Sequence, residues 1–251
     1  MSRLLESVAR SVDCPGPLMP YLAELFAGLQ SLGSSPRMVV GALRRAGIGP
    51  GDRLLDLACG KGVSAVAAAR ALGCRVRGVD AYPPFLAEAA SRAARAGVSC
   101  EWVRADARRY RPAAFHADAA MMIGLDPFPK AVRVLRRLVR PGGVYLIDDV
   151  VAMRGRWRNC PDTTGIPTVE EANAMIARLG DIVEEARVMS ANQCRRINAV
   201  INHALAASAS RLKNRHPRLR PVLRGFLRGQ RDAGRMLEGP IRPVLWVVRR
   251  G

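Results

Sequence analysis

Between residues 53 and 148, short apolar runs alternate with alanine-rich stretches of helical periodicity. A strand, a crossing helix and a second strand pack as a unit with parallel strands, so this alternation predicts a doubly wound α/β sheet. The predicted strands are Arg53–Leu57, Arg75–Val79, Cys100–Arg104, Ala119–Leu125 and Val144–Asp148, and the predicted helices are Val63–Leu72, Pro84–Ala96 and Lys130–Val139.

The remaining segments complete this sheet and add two helical parts. A helix near Val169–Leu179, a strand near Ile182–Met189 and a closing strand near Pro243–Arg249 bring the sheet to seven mostly parallel strands. The N-terminal region has helical periodicity, with a helix near Pro36–Ala46, and an arginine-rich helical segment broken near Pro217 separates the last two strands. Three parts are thus predicted: a helical cover over 1–46, an α/β core over 47–190 and 240–251, and a helical insertion over 191–239 that serves as a lid or an interaction segment.

The chain has a formal charge of +19, and almost all of the excess is arginine, since lysine occurs only at Lys61, Lys130 and Lys213. A GC-rich coding sequence produces such a skew without any anionic partner. The excess is uneven, however, with 15 basic and 2 acidic residues from Arg187 to the end. RNA or another phosphate-rich partner therefore remains an alternative.

Cysteine usage and hydropathy indicate the compartment. The six cysteines stand singly, without a CxxC pair or the close spacing of a metal site, so reduced thiols and no metal are expected. No apolar run approaches the ~20 residues of a membrane span, and the start lacks the pattern of a signal peptide. We expect a cytoplasmic protein without a membrane partner, which could form a homodimer.

The strongest motif is a small-residue loop that links the first predicted strand to the first helix of the core. Residues 54–64 read LLDLACGKGVS, a D-x-x-x-G-x-G pattern. Glycine permits positive φ in a tight turn and lets a ligand approach the backbone closely. Because dinucleotide-binding folds use the same device, the loop alone does not define the ligand.

Three later motifs, in order along the chain, narrow the choice. GVDA at 78–81 ends the second strand, RADA at 104–107 ends the third, and LVRPGGVYL at 138–146 precedes the fifth. Together with the loop, this series resembles the class I S-adenosylmethionine-dependent methyltransferases over residues 54–151. The resemblance implies a seven-stranded Rossmann-like sheet and S-adenosyl-L-methionine as the cofactor.

The resemblance also implies roles for individual residues. Asp56 would orient the loop and the methionine amino group, Asp80 would accept hydrogen bonds from the ribose hydroxyls, and Asp106 would receive the adenine amino group. The family commonly has glycine where this chain has Ala58. The full set of predicted cofactor-binding residues is Asp56, Ala58, Cys59, Gly60, Gly62, Asp80, Ala81, Asp106, Ala107, Ile123 and Gly124.

Candidates for the methyl-transfer chemistry are weaker. Asp126 precedes Pro127, which is more typical of a helix start than of the N/D-P-P-Y/F motif of amino-group methyltransferases. Asp148 and Asp149 end the fifth strand and, with Asp126, are similar to the magnesium ligands of catechol-type O-methyltransferases, although the usual asparagine is missing. Tyr21 is a further candidate on the N-terminal cover.

Three functions fit these features. We favour a methyltransferase whose small-molecule acceptor is enclosed by the helical parts, because a covered site excludes water. An RNA methyltransferase that uses the basic segment is the alternative, although only 5% of residues are aromatic and could stack on bases. A protein that keeps the cofactor fold without catalysis is the third possibility.

Overall fold

The computed structural model describes residues 3–30, 33–112, 116–125, 127–154, 163 and 165–251. The strands of the described part are β1 Arg53–Leu57, β2 Arg75–Asp80, β3 Cys100–Arg104, β4 Ala117–Ile123, β5 Val139–Ala152, β6 Ile182–Val188 and β7 Ile241–Arg249. They form one sheet in the order β3-β2-β1-β4-β5-β7-β6, in which β1 to β5 pair in parallel and β7 pairs antiparallel to both neighbours. The predicted fold class is confirmed.

Helices cover both faces of this sheet because adjacent strand residues point to opposite sides. The helices of the described part are α1 Arg3–Ser11, α2 Leu22–Leu25, α3 Pro36–Arg45, α4 Val63–Leu72, α5 Pro83–Ala96, α6 Phe128–Leu138, α7 Val169–Ala177, α8 Ala191–Arg215 and α9 Arg220–Glu238. In β1, Leu55 joins the apolar cluster under α6 and α7, whereas Leu54 joins the cluster under α3 and α4. The sheet is therefore buried on both faces, as parallel sheets are.

The N-terminal cover and the insertion pack against each other. Leu22 and Leu25 share a buried cluster with Leu205 and Leu212 of α8, although more than 170 residues separate the two groups in the chain. The rings of Phe26 and Phe226 of α9 lie 6.3 Å apart between centroids, and Glu24 pairs with Arg215. The two helical parts form a single layer over one edge of the sheet.

Several predicted boundaries differ from the structure for local reasons. The N-terminal region, predicted to be helical, contains a 3₁₀ turn over Gly16–Tyr21 followed by the one-turn α2, because prolines interrupt the backbone hydrogen bonds there. β5 begins at Val139, before the predicted Val144, because Val139 already pairs with Ala117 of β4. β4 ends at Ile123, before the predicted Leu125.

The insertion lies between β6 and β7, as predicted. α8 begins with a capping box, in which the Ser190 hydroxyl accepts from the Gln193 N–H at 3.2 Å and the Gln193 side chain accepts from the Ser190 N–H at 2.8 Å. A 3₁₀ turn over Pro217–Leu219 separates α8 from α9, at the predicted break. Pro221 lies in the first turn of α9, where its missing N–H is tolerated.

Candidate functional site

A cavity of about 350 Å³ lies where the carboxyl ends of β1, β2 and β4 meet the helical layer. Doubly wound sheets bind their ligands at this edge. The structure brings together all the predicted cofactor residues except Gly62, since the following line the cavity: Asp56, Ala58, Cys59, Gly60, Asp80, Ala81, Asp106, Ala107, Ile123 and Gly124. We call these residues the cofactor side of the cavity.

The loop after β1 has three residues with left-handed backbone, Ala58 at φ 59°, Gly60 at 52° and Gly62 at 68°. A Cβ on Gly62 would lie 2.6 Å from the Trp102 ring and 2.7 Å from Ala89, whereas a Cβ on Gly60 would meet open space. Gly62 therefore allows the loop to pack closely against its neighbours, and Gly60 leaves room in the cavity. At Ala58, where the family commonly has glycine, the left-handed conformation is strained by roughly 1–2 kcal/mol.

Asp80 joins this loop to the next helix. One carboxylate oxygen accepts from the Gly60 N–H at 2.8 Å, and the other accepts from the Tyr82 N–H at 2.8 Å. Burial raises the pKa of Asp80, and backbone hydrogen bonds, among them those from Tyr82 and Gly60, offset part of the rise. The carboxylate is thus held in place by main-chain donors at the wall of the cavity.

Asp56 is a second buried carboxyl group on the same cavity, with only 3% of its surface exposed. Burial, and then the negative charge of Asp80, raise the pKa of Asp56 well above its ordinary value. A bound cation and hydroxyl donors would relieve this unfavourable pairing. The ammonium, sulfonium and ribose hydroxyls of S-adenosylmethionine supply those groups, so the residues fit the cofactor.

The loops after β3 and β4 form the other end of the cofactor side. The Asp106 carboxylate accepts from the Arg108 N–H at 3.0 Å, which fixes the turn after β3. The Arg108 guanidinium donates to the Leu125 carbonyl at 3.2 Å and so joins the two loops. Asp106, Ala107 and Ile123 are therefore held in one wall.

Lys61 was not predicted to contribute, and it connects the cofactor loop to the cover. Its ammonium is buried and donates to the carbonyls of Phe26 at 2.8 Å and Leu29 at 3.2 Å, and it pairs with Glu88 at 3.1 Å. The available signal was a lysine inside the glycine loop of a chain that otherwise uses arginine. The carbonyls belong to the segment that covers the cavity.

Asp148, a predicted catalytic candidate, is buried and does not line the cavity. Its carboxylate accepts from the Ser34 N–H, and a Cβ on Gly33 would overlap both Asp148 and Ile123. Burial raises the pKa of Asp148 to about 6, against hydrogen bonds from Ser34 that lower it. Asp148 holds the N-terminal cover against the ends of β4 and β5.

Tyr21 and Asp149 also lie away from the cavity lining. Tyr21 packs on His216, with 4.7 Å between ring centroids, and Asp149 is half-buried on β5. Asp126 lies outside the described residues. Within the described part of the chain, no group of three or more histidine, cysteine, aspartate or glutamate side chains could hold a metal ion.

The helical layer supplies the opposite side of the cavity, which we call the cover side. Its polar members are mostly carboxamides, Gln30, Asn198, Asn202 and Gln230, beside apolar side chains such as Ile201. The Asn198 side chain donates to the Gly234 carbonyl and to Glu238, both at 2.8 Å, and so joins α8 to α9. No sequence motif marks these carboxamides, and they were not predicted.

Residues 54–143 match a family model described as a methyltransferase domain. The chain is 35% identical to 2-phytyl-1,4-naphtoquinone methyltransferase of Synechocystis over 43% of its own length and 49% of that protein. It is 38% identical to an uncharacterised protein of Mycobacterium tuberculosis over 39% of its own length and 37% of that protein. The chain thus spans half the length or less of these curated relatives.

Solved structures extend the likeness to almost the whole chain. A SAM-dependent methyltransferase of Geobacter sulfurreducens, in complex with S-adenosyl-L-homocysteine, has a TM-score of 0.75 at 22% identity and covers 92% of this chain and 98% of its own. The cyclopropane synthase MmaA2 of Mycobacterium tuberculosis has a TM-score of 0.76 at 15% identity, with 98% of both chains covered. The cyclase SpnF has a TM-score of 0.70 at 19% identity, covering 92% of this chain and 94% of its own.

The methyltransferase resemblance that the sequence shows is confirmed over residues 54–143, and the solved structures share the fold of the whole sheet. The breadth of the structural neighbours, which include a cyclase, means that the fold alone does not define the reaction. Activity must be argued from the site.

Among the described residues, no helix is long and apolar enough to cross a bilayer.

Proposed function

We propose that the chain transfers a methyl group from S-adenosylmethionine to a small, mostly apolar acceptor enclosed between the cofactor side and the cover side. One observation carries this proposal: the predicted cofactor motifs and the helical layer line one continuous cavity. A cavity lined by apolar side chains and a few polar groups is typical of small-molecule sites. In this proposal residues 1–46 and 191–239 act together as a lid.

The chemistry of the cover side supports a neutral acceptor. Among the described residues, Asp13 is the one ionisable side chain that the helical layer adds to the lining, and it is exposed. Carboxamides such as Asn202 and Gln230 can donate to and accept from carbonyl or hydroxyl groups without carrying charge. The naphthoquinone methyltransferase of Synechocystis is named for an acceptor of this kind, and that name supports the assignment at the level of a small apolar molecule.

The proposed mechanism depends on position more than on a base. Methyl transfer from a sulfonium is an in-line displacement, in which holding nucleophile, carbon and sulfur in line supplies on the order of 7–11 kcal/mol. Asp56 and Asp80 would hold the cofactor, and Ile123 and Gly124 would form the wall beside its reactive end. The helical layer would orient the acceptor and exclude water.

A second candidate, an RNA methyltransferase, is favoured by the exposed arginines of α8 and α9. The described insertion contributes one ring of the Phe, Tyr and Trp type, Phe226, which is buried and cannot stack on bases. We therefore rank this candidate below the small molecule.

The experiment is transfer of labelled methyl from S-adenosylmethionine into a fractionated bacterial extract, with metabolites, lipids, RNA and protein counted separately. We expect label in the metabolite or lipid fraction, and its loss in the Asp80→Ala variant. Label in RNA would reverse the ranking of the two candidates. Label in no fraction, with intact cofactor binding, would favour a protein without methyl-transfer activity.

A further inference from the structure

The outer surface of α9 has a continuous stripe of five arginines, Arg220, Arg224, Arg228, Arg231 and Arg235, all exposed. At 100° per residue these positions fall within about 80° of arc, and they span roughly 22 Å along the helix. The opposite face of α9 buries Leu223, Phe226 and Gly234 against the molecule. The stripe is therefore a solvent-facing feature that the cavity does not use.

Acidic side chains do little to neutralise this surface. Between residues 191 and 239 the sequence has only Asp232 and Glu238. Asp232 pairs with Arg235, and Glu238 accepts from Asn198 on the cavity side of the hairpin. The outer surface of the insertion is thus strongly positive and complementary to an anionic surface.

α8 adds exposed aliphatic side chains to the same hairpin. Val200 is 69% exposed and Ile197 is 38% exposed, one helical turn apart, and Arg195 and Arg196 are exposed beside them. Binding to a polyanion depends mainly on charge, so arginines account for it without the aliphatic side chains. A bilayer interface uses both, because its phosphates attract the cations and its acyl boundary accepts the apolar side chains.

The exposed aliphatic residues lie close to the cavity. Asn198, Ile201 and Asn202 on the inner face of α8 line the cavity, and Val200 directly precedes Ile201. A molecule held at the outer surface of α8 would therefore be separated from the acceptor space by the thickness of one helix, about 10 Å. This arrangement suits an acceptor that is delivered from a lipid phase.

We propose that the outer surface of the insertion, made by the arginine stripe of α9 with Ile197 and Val200 of α8, docks on an anionic phospholipid bilayer. The lipid-borne acceptor then reaches the cavity from that bilayer. The docking part of this proposal stands on charge and exposure, and the delivery part rests on the proposed function. It revises the expectation from the sequence that the chain has no membrane partner.

The test is co-sedimentation of the full chain with vesicles of phosphatidylcholine alone and of phosphatidylcholine mixed with phosphatidylglycerol. We expect partitioning to the anionic vesicles only, decreasing with added salt. Each interfacial cation contributes about 1 kcal/mol, or roughly fivefold, so the triple variant Arg224→Gln, Arg228→Gln and Arg231→Gln should lower the partition coefficient at least tenfold. Val200→Gln should lower it about threefold or more.

A matched control removes the same charge elsewhere. Arg70, Arg75 and Arg95 are exposed and lie at the end of α4, the start of β2 and the end of α5, near the opposite edge of the sheet. Their triple substitution by glutamine should leave partitioning within about twofold of the parent, since they lie beyond a Debye length of the docking surface. Equal loss in both triple variants would overturn the docking surface in favour of net charge.

Two further results would also overturn the proposal. One is the absence of binding to anionic vesicles. The other is binding to an RNA homopolymer as tight as to vesicles, with Val200→Gln without effect, which would indicate a general polyanion surface. Calorimetry with S-adenosylhomocysteine and label counts in the lipid fraction separate the two proposals. Vesicle binding without methyl transfer would support docking and contradict the proposed function. Methyl transfer without vesicle binding would support the proposed function and contradict docking.

Discussion

The two sides of the cavity are built in different ways. On the cofactor side, Asp56, Gly60 and Asp80 lie within 25 residues of one another, and main-chain hydrogen bonds such as Gly60 to Asp80 hold them. The cover side comes from the N-terminal cover and the insertion, which lie far apart in the sequence, and it is held mainly by apolar packing. Two buried ionisable groups, Lys61 and Asp148, attach it to the core.

This difference predicts how each side responds to substitution. Changes at the glycines and aspartates of the cofactor loop should alter the packing of the loop or its affinity for the cofactor, because these residues contact neighbouring core residues and the cavity. Changes at Lys61 or Asp148 should loosen or tighten the attachment of the cover and affect the cofactor loop less. The predictions below test that division, in order of expected effect.

The largest effect is expected within the cofactor loop itself. Gly62→Ala should lower the free energy of unfolding by about 4 kcal/mol, because the added methyl overlaps Trp102 and Ala89 and the residue keeps its positive φ. Gly60→Ala is the matched control, with similar φ but open space, and should lose only about 1 kcal/mol. Equal losses in urea denaturation would contradict the close packing at Gly62.

The second effect is a pH dependence at the attachment of the cover. The unfolded chain loses the Asp148 proton near pH 4 and the folded chain near pH 6, so the folded state binds more protons between these values. Through Asp148 alone, the free energy of unfolding should fall by about 3 kcal/mol as pH rises from 4 to 7. Asp148→Asn should remove that part of the fall, measured as the unfolding free energy at the two pH values.

Asp118 offers a control of opposite sign at the other edge of the sheet. Burial raises the pKa of Asp118, but hydrogen bonds from the Arg140 guanidinium at 2.7 Å and the Arg53 N–H at 2.9 Å lower it by more. The pKa of Asp118 is therefore below its ordinary value. Its contribution to stability is present above pH 4 and is lost as pH falls through the lowered pKa. Asp118→Asn should therefore lose stability at pH 7, and a gain there would contradict the assignment.

The third effect is the loss of the lysine that joins the two sides. Lys61→Met should destabilise by about 2 kcal/mol, since the Phe26 and Leu29 carbonyls lose a buried donor and Glu88 loses a partner. Hydrogen exchange should rise at amides of residues 26–30. Lys213→Met, the same change at an exposed lysine of α8, should leave both measurements unaltered. Unchanged exchange in Lys61→Met would show that the cover is held without it.

Much of the cofactor side could be predicted from the sequence because its residues are local to strand ends. The strand pattern predicts the strand ends, and the resemblance to methyltransferase motifs selects the loop at 54–64, Asp80 at the end of β2 and Asp106 after β3; ten of the eleven predicted residues line the cavity. Gly62 is the exception, because its missing side chain allows close packing against Trp102. Sequence periodicity does not show which side chain will pack against a glycine.

The cover side could not be predicted in the same way because its contacts join distant segments. Asp148 was considered as a catalytic or metal-binding residue from its place at the end of β5, but its partner is Ser34, more than a hundred residues earlier. Lys61 and Asn198 likewise act through segments that no local pattern connects to them. The identity of the acceptor depends on this side.

The smallest of these effects is also the most direct test of the central claim, that the cavity binds S-adenosylmethionine through the carboxylates of the cofactor side. Calorimetric titration with S-adenosylhomocysteine should give one site per chain. Asp80→Ala should weaken binding at least tenfold, about 1.4 kcal/mol, because the proposed ribose acceptor and the hydrogen bond that holds Gly60 are both lost. Equal affinity in parent and variant, or no binding to the parent chain, would contradict the account.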